Sequence, residues 1–470
     1  MNDTLGYVRK SRAGKIKLIT HRRKEGLTDP HERTAILLAE ALRTRGRLLA
    51  LPSSAEGLRT ASEIRDVRRT TCCVVGGGPG GAVLSLLLAR AGVDVTLLEA
   101  HPDFNREFRG DTLHPSVMEI MDQLGLAERL LEVPHSELSN FTLQTVSGPF
   151  TPVDLGRLKT KFPYITMMPQ TSFLEFVTRE AKRYPNFRLV MGARVRELVE
   201  DDGVIRGVRY ESEDGRHEVR AVLTVGADGR GSRVRKLAGF EPVKTSPPMD
   251  VLWFKLPRKK EDPAGIVGRF GRGHIAVMLD REDYWQAGYV IPKGTYPELR
   301  REGIEALRRE FAELIPEYAD RIGHLEDWQQ MSLLSVESSR CPRWYRPGLL
   351  LIGDAAHVMS PVGGVGINYA IQDAVVVANV LSGPLKESQV RLVDLDVRHL
   401  AAVQRRRELP TRLIQKAQAL IQQQVLARAL RTDEPFTPPL PLRLLLRIPV
   451  VRNIPSRIVG FGFWPVRVKE

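Results

Sequence analysis

The sequence predicts an α/β fold in which a Rossmann-like nucleotide-binding domain is interleaved with a second, mainly β domain. Residues 72–99 read as an apolar strand, a glycine-rich turn, a helix and a second strand that ends in an acid. Residues 348–374 read as another apolar strand, a glycine run and a helix, with strand-like segments between the two regions. The nucleotide-binding domain is therefore expected from residues 70–245 and 341–393, on either side of a sheet at 246–340.

The first region contains the spacing G-x-G-x-x-G at Gly76, Gly78 and Gly81. Gly76 permits a tight turn, Gly78 lets the backbone approach a pyrophosphate, and Gly81 allows the helix to pack close to the strand. Glu99 closes the second strand, where a carboxylate can accept hydrogen bonds from ribose hydroxyls. The complete pattern predicts a dinucleotide site, and Glu99 favours NAD or the adenosine half of FAD over NADP.

The second region distinguishes between these dinucleotides. An apolar strand ends in Gly353-Asp354, and Pro361 and a glycine run then precede a helix. A NAD dehydrogenase does not need this element, whereas Asp354 can bind the ribityl hydroxyls of a flavin. The helix start near Gly364–Asn368 can face N1 and C2=O of the isoalloxazine, where a helix dipole stabilises the negative charge of a reduced flavin. We therefore expect FAD.

A third segment, residues 225–235, contains Asp228-Gly229 and lies between the first two. With the three motifs in this order and spacing, the chain resembles the p-hydroxybenzoate hydroxylase-like family of single-component FAD monooxygenases. Residues 109–115 and Gln170 extend the resemblance, which runs from about residue 70 to about residue 424. It implies an FAD-binding domain of the glutathione-reductase/p-hydroxybenzoate hydroxylase type, a β-sheet substrate domain and a C-terminal helical arm.

The resemblance also implies particular contacts with FAD. Glu99 would bind the adenosine ribose, and Asp354 would hold the ribityl chain. Arg109 and Gln170 would contact the diphosphate and ribityl region, and the Asp228 segment is linked in the family to both FAD and reduced nicotinamide. The residues expected at the cofactor are Gly76, Gly78, Gly81, Glu99, Arg109, Gln170, Asp228, Gly229, Gly353, Asp354, Pro361, Gly364, Gly366 and Asn368.

The reaction that the resemblance implies is hydroxylation of a small aromatic, polyketide-like or quinol-like molecule. NADH or NADPH, bound transiently, would reduce the FAD, and the reduced flavin would react with O2 to give a C4a-hydroperoxide. The alternatives are a flavin-dependent reductase of isoprenoid double bonds and a non-catalytic flavoprotein scaffold. A flavin-dependent halogenase is disfavoured because its Trp-x-Trp-x-Ile-Pro motif is missing. Separately, the sequence shows no cluster of metal-ligating residues, so no metal is expected.

Three segments of the middle region read as strands: Met249–Pro257, Gly273–Leu279 and Tyr284–Pro292. Aromatic residues on these strands are candidates for the substrate pocket, with packing in the core as the alternative. Strand periodicity places Trp285 and Tyr289 on one face. His357 is a candidate base, with a packing role as its alternative. The pocket candidates are Trp253, Trp285, Tyr289 and His357.

The net charge of +14 is concentrated at the two ends of the 470-residue chain. Residues 1–70 carry +8 and residues 401–470 carry +9, which leaves −3 for the residues between them. The N-terminal end has one aromatic residue, Tyr7, and no recognised binding module, so nucleic-acid binding is not expected. Three cysteines without a C-x-x-C spacing favour a reducing cytoplasm.

Each end poses its own question. Residues 1–69 form a basic extension containing a plausible amphipathic helix at 32–45; either translation begins at Val67 or the extension is a genuine tail that docks a partner. In residues 394–470 we expect a helix from Asp394, as N-cap, to about residue 430. The apolar, arginine-punctuated tail that follows would either pack on the flavin domain or contact the inner face of a membrane through Arg443, Arg447 and Arg452. The sequence leaves the oligomeric state open.

Overall fold

The structure is a computed structural model, which describes residues 5–10, 16–21, 63–105, 111–145, 148–263, 265–271, 273–281, 283–431 and 448–469. The chain divides into two units, residues 1–63 and residues 64–470. In the first unit β1 (Leu5–Lys10) and β2 (Ile16–His21) form an antiparallel hairpin. The predicted helix at 32–45, Arg109 and the tail residues Arg443 and Arg447 lie outside the described residues.

The second unit is built around a sheet with β3 (Ile64–Val75) near its centre. The end of β3, from Cys72 to Val75, is buried, as expected for a parallel strand covered on both faces. β3 begins upstream of residue 70, where the domain was expected to start. The other strands are β4 (Val95–Leu98), β10 (Phe187–Val190), β11 (Arg194–Asp201), β12 (Val204–Ser212), β13 (Gly215–Gly226), β21 (Tyr345–Arg346) and β22 (Leu349–Leu351).

The order of this sheet is β10–β4–β3–β13–β12–β11, and β22 pairs with β13 in parallel. Segments far apart in sequence therefore end side by side, because the carboxyl ends of parallel strands share one edge. Helices of this unit pack on the sheet or near that edge, and the longest packs against the first. They are α1 (Pro79–Arg90), α2 (Pro115–Gln123), α3 (Ala127–Leu131), α4 (Gln170–Ala181), α5 (Arg233–Leu237) and α8 (Gly366–Arg391).

A second sheet of seven strands has the order β19–β15–β18–β17–β16–β7–β8. Two of its strands have the predicted bounds, whereas the third begins two residues later than expected, at Ile275. Helices α6 (Tyr296–Glu302) and α7 (Ile304–Leu314) lie beside it. Its strands are β7 (Asn140–Thr145), β8 (Gly148–Asp154), β15 (Met249–Pro257), β16 (Ile266–Phe270), β17 (Ile275–Asp280), β18 (Tyr284–Pro292) and β19 (Ser332–Leu334).

Two small antiparallel sheets join the larger ones. The first has the order β5–β9–β6 and the second the order β14–β20–β23. In the latter, the pairing of β20 with β23 fixes the chain directly after the Gly353-Asp354 segment. The strands are β5 (Thr112–Leu113), β6 (Ser136–Leu138), β9 (Ile165–Met167), β14 (Val243–Thr245), β20 (Ser338–Arg340) and β23 (His357–Val358).

The C-terminal part contains α9 (Val397–Ile421), a π-helical turn over Gln422–Leu426, α10 (Ala427–Arg431) and α11 (Pro449–Phe461). The N-cap of α9 is Asp396, which accepts a hydrogen bond of 2.8 Å from the backbone N–H of Arg398. The expectation that Asp394 caps this helix is wrong, because Asp394 forms an ion pair with Arg206 instead.

The C-terminal arm, residues 448–469, packs on β8 of the second sheet and on the nucleotide-binding domain. The Ser456 hydroxyl accepts a hydrogen bond of 2.9 Å from Asp154 N, and Gln372 Nε2 donates one of 3.2 Å to the carbonyl of Phe461. The described part of the tail is therefore packed against the rest of the protein, as in the first of the two alternatives. Membrane contact through the tail stays a prediction. Within the described chain one stretch, Val362–Arg391, is long and apolar enough to cross a bilayer, but 67% of its apolar window is buried, as in a core helix.

Candidate FAD site

The glycine-rich turn between β3 and α1 brings the backbone unusually close to its neighbours. Gly76 has a φ of +106°, and a Cβ there would lie 2.5 Å from the carbonyl oxygen of Ala227. A Cβ on Gly81 would lie 2.0 Å from the carbonyl oxygen of Gly76, so only glycine lets α1 start against the turn. A Cβ on Gly78 would meet no described atom within 4 Å, which leaves room in front of the α1 N-terminus. Its unpaired N–H groups suit a pyrophosphate.

Glu99 is fixed at the carboxyl end of β4, beside this turn, and is only 4% exposed. Its Oε2 accepts a hydrogen bond of 2.8 Å from Gly77 N, and its Oε1 accepts one of 3.0 Å from His101 N. The His101 ring lies 2.8 Å from the same Oε1. The carboxylate is thus fixed beside the glycine-rich turn, and its contact with an adenosine ribose stays a prediction.

The Asp-Gly segment uses its carboxylate to cap a helix. Asp228 Oδ1 accepts a 2.5 Å hydrogen bond from the Ser232 hydroxyl, and Oδ2 accepts bonds from the N–H groups of Arg233 and Val234, at 2.6 and 3.0 Å. Burial raises the pKa of Asp228, and these hydrogen bonds oppose the shift. Gly229, with a φ of +79°, completes the turn. Asp228 therefore shapes the backbone at the cofactor site by capping α5.

The Gly353-Asp354 segment is held by a buried ionic network. Asp373 of α8 accepts hydrogen bonds from Gly353 N, at 3.0 Å, and from His357 Nε2, at 2.7 Å. Arg407 Nε donates to the other carboxylate oxygen at 2.6 Å. Although burial opposes ionisation, His357 and Arg407 lower the pKa of Asp373 to about 2. Asp354 itself is partly exposed at the carboxyl end of β22.

This network corrects the choice of His357 as a candidate base. The side chain is 2% exposed, its Nε2 is bonded to Asp373, and its ring packs at 4.9 Å from the ring of Trp344. A general base must reach the proton that it removes. His357 is enclosed on these sides, so its role is the packing one, holding the segment that carries Asp354.

We call residues 360–364, from Ser360 to Gly364, the flavin-edge segment. Its two glycines have positive φ angles, +79° at Gly363 and +63° at Gly364. Asn368, near the start of α8, donates from Nδ2 to the Gly364 carbonyl at 3.2 Å and accepts from His114 N at 2.9 Å. The Asn368 amide therefore ties this segment to residues 112–114, and the expected place of Asn368 beside the flavin stays a prediction. α8 begins at Gly366, directly after Val365.

The two faces of the second sheet pack against different elements, and the aromatic candidates for the substrate pocket lie on different faces. Trp285 and Tyr289 are 0% exposed and pack toward α7 and residues 316–324, with Tyr289 donating to Glu310 at 2.8 Å. Trp253 lies on the other face, in a cluster that includes Val362 of the flavin-edge segment. Trp285 and Tyr289 are therefore core residues, and Trp253 is the candidate on the face that packs against the flavin-edge segment.

Comparison with known proteins decides the family. Residues 69–417 match the FAD binding domain family. This chain belongs to that family. It is 34% identical to 6-methylpretetramide 4-monooxygenase of Streptomyces rimosus over 395 residues, which are 83% of this chain and 92% of the relative. It is 30% identical to 12-dehydrotetracycline 5-monooxygenase/anhydrotetracycline 6-monooxygenase of the same species over 314 residues, which are 63% of this chain and 59% of that relative.

A solved structure shows the same fold. PqsL of Pseudomonas aeruginosa, described as a probable FAD-dependent monooxygenase, superposes with a TM-score of 0.63 at 22% identity, covering 78% of this chain and all of PqsL. The chain is an FAD-dependent monooxygenase. The expectations of the family, the α/β fold and FAD as cofactor are confirmed.

Two arginines of the monooxygenase site escaped the sequence analysis. Arg235 is 7% exposed and donates to the carbonyls of Ala355, at 3.0 Å, and Arg230, at 2.7 Å, so it joins the Asp-Gly and Gly-Asp segments. Arg281, in the turn after β17, pairs at 2.8 Å with Asp111, whose other oxygen accepts from Gln170 N. The second pair links the second sheet to the segment that precedes α2. The residues around each arginine form no sequence pattern that would predict its distant partner.

The residues in place fit FAD. Gly78 and the α1 N-terminus leave space and N–H donors for a diphosphate, Glu99 can accept from a ribose, and Asp354 can accept from the ribityl chain. Bound FAD supplies the electron transfer between reduced nicotinamide, oxygen and substrate. The N-terminal end of α8 has no acid in its first turn, so its dipole favours negative charge beside the flavin-edge segment. The face of the second sheet that packs against Val362 is apolar and would keep water away from this edge.

Proposed function

We propose that this monooxygenase hydroxylates a flat, fused-ring aromatic substrate of the polyketide class, with electrons from NADH or NADPH and oxygen from O2. The observation that carries the proposal is the 34% identity with 6-methylpretetramide 4-monooxygenase over 92% of that relative's length. The relative that is 30% identical is named for oxidation of 12-dehydrotetracycline and anhydrotetracycline, which belong to the same substrate class.

The second sheet supports this substrate class. Its face toward the flavin-edge segment is apolar and carries Met249, Val251, Phe270, Ile275 and Val290 around Trp253. The Trp253 ring lies over Gly288 of the neighbouring strand, where a Cβ would come within 2.8 Å of a ring atom. A flat aromatic surface suits a flat aromatic ligand, because offset stacking and burial of apolar area both stabilise the contact.

The test is oxidation of NADH and NADPH by the FAD-loaded protein in the presence of anhydrotetracycline or p-nitrophenol, followed by mass spectrometry under ¹⁸O₂. We expect the fused-ring compound to accelerate nicotinamide oxidation more than the single-ring compound, with one ¹⁸O atom in the product. A reduced product that carries no label would instead identify a reductase. Acceleration by p-nitrophenol alone would overturn the fused-ring assignment.

A further inference from the structure

Helix α9 and the π-helical turn that follows it carry a row of glutamines that face the Gly-Asp region. Gln404 Nε2 donates to the carbonyl of Pro342 at 2.9 Å, and its Oε1 accepts from Trp344 N at 3.0 Å. Gln415 Nε2 donates to the carbonyls of Ser339 and Val358, at 2.9 and 3.0 Å. The helix thus holds backbone on both sides of the Gly353-Asp354 segment through side-chain amides.

The last two glutamines of this row reach the flavin-edge segment itself. Gln418 Nε2 donates to the carbonyls of Ser360, at 2.9 Å, and Val362, at 2.7 Å, which flank Pro361. Gln422 Nε2 donates to the Ser360 hydroxyl at 2.5 Å, and that oxygen also accepts from Val362 N at 3.2 Å. Both glutamines are 3% exposed and Ser360 is 2% exposed.

The flavin-edge segment needs such external support. Pro361 has no N–H to donate, and two successive glycines with positive φ leave the chain conformationally free. Thr112 and Asn368 hold the far end through the Gly364 carbonyl. Gln418 and Gln422 hold the near end, so the segment is fixed from two sides.

The orientation of the Gln418 amide is determined by its partners. Both contacts are with carbonyl oxygens, which accept only, so the NH2 group must point toward Ser360 and Val362. Its Oε1 is buried without a hydrogen-bond partner among the described residues. A glutamate of the same shape would place a carboxylate oxygen against two carbonyl oxygens and would repel the segment.

We propose that Gln418 and Gln422 are positioning residues for the flavin: they hold the flavin-edge segment in the conformation that binds the cofactor. Both follow residue 417, the last residue of the family match, so the family assignment does not include them. The proposal rests on FAD binding at this site and is independent of which substrate the monooxygenase takes.

The test compares Gln418→Glu with Gln423→Glu in the full-length, FAD-loaded protein. Gln423 is exposed and only one residue from Gln422, so its substitution introduces the same charge away from the segment. The readouts are the dissociation constant of FAD, the visible absorption spectrum of the bound flavin, and hydrogen exchange in a peptide covering residues 358–366.

We expect Gln418→Glu to raise the FAD dissociation constant about thirtyfold, the equivalent of two hydrogen bonds, with a shifted flavin spectrum and faster exchange in the peptide. Gln423→Glu should change none of the three readouts. Gln422→Ala, which removes only the bond to Ser360, should raise the dissociation constant about fivefold, and it replaces Gln418→Glu if that variant does not fold. An unchanged FAD dissociation constant and spectrum in Gln418→Glu or Gln422→Ala, or equal changes in Gln423→Glu, would overturn the proposal.

Discussion

Replacing Asp373 by asparagine removes a carboxylate that links the Gly-Asp segment to α9. Asp373 is 0% exposed and accepts from Gly353 N, His357 and Arg407. Arg407 is also 0% exposed, and its two terminal nitrogens have no hydrogen-bond partner among the described residues. The Asp373→Asn variant would therefore leave a buried guanidinium without its counter-charge.

The size of the effect follows from this burial. Removal of one partner of a buried ion pair typically costs about 3–5 kcal/mol. The same ion pair with Arg407 and the contact with His357 lower the pKa of Asp373 to about 2, so the folded state favours the ionised carboxylate. Because this pKa is lowered in the folded state, that part of the stability is present above pH 4 and is lost as the pH falls toward 2.

Urea unfolding measures the free energy directly. We expect Asp373→Asn to lower the free energy of unfolding by about 3–5 kcal/mol and to weaken FAD binding, since Gly353 N loses a charged acceptor. The double variant Asp373→Asn/Arg407→Met should be more stable than Asp373→Asn alone, because it removes the unpaired charge. A loss below about 1 kcal/mol, or additive effects in the double variant, would refute the network.

Three further predictions test other parts of the molecule. Gly81→Ala should abolish FAD binding because its Cβ has no space, whereas Gly383→Ala, with nothing within 4 Å, should bind FAD normally in a spectral titration. Burial lowers the pKa of His114 to about 4. As the pH falls from 6.5 to 4, the unfolded chain therefore takes up a proton that the folded protein does not, and the stability decreases. His114→Gln should flatten the pH dependence of the unfolding midpoint over this range, and an unchanged slope would contradict this. Trp253→Ala should raise KM for the fused-ring substrate at least tenfold through lost stacking and burial. Trp285→Phe should leave KM unchanged and reduce stability by about 1.5–3 kcal/mol, because it loses a hydrogen bond to the carboxylate of Asp262. Equal KM values in the two variants would show that the wrong face was assigned.

The sequence predicted helices, strands and turns well where residues close together in the chain determine the backbone conformation. The glycine turn is an example, because the contacts that demand Gly81 come from Gly76, five residues earlier. The strands Met249–Pro257 and Tyr284–Pro292 were predicted with their observed bounds, since alternation and flanking prolines or charges delimit them. The start of α9 was misplaced at Asp394, because two nearby aspartates are equally good caps and only Asp396 has its carboxylate free of Arg206.

The candidate site was only partly predictable for a related reason. Alternation shows that Trp285 and Tyr289 share a face, but it cannot show which face has α7 against it. Asn368 and His357 were identified as site residues, yet their partners, His114 and Asp373, lie on other elements. A contact between distant segments leaves no periodic signal in either of them.

The sequence by itself determined the nucleotide-binding turn, the acid at the end of β4 and the motif order that belongs to the FAD binding domain family, since each depends on residues close together in the chain. The tertiary structure decided which side chains hold those motifs in place. Arg235, Asp373 and Gln418 donate to or accept from backbone groups of other elements, and the packing of α5, α8 and α9 on the sheet places them there. Their hydrogen bonds form only after that packing has brought donor and acceptor together, so no spacing of residues within one segment could predict them.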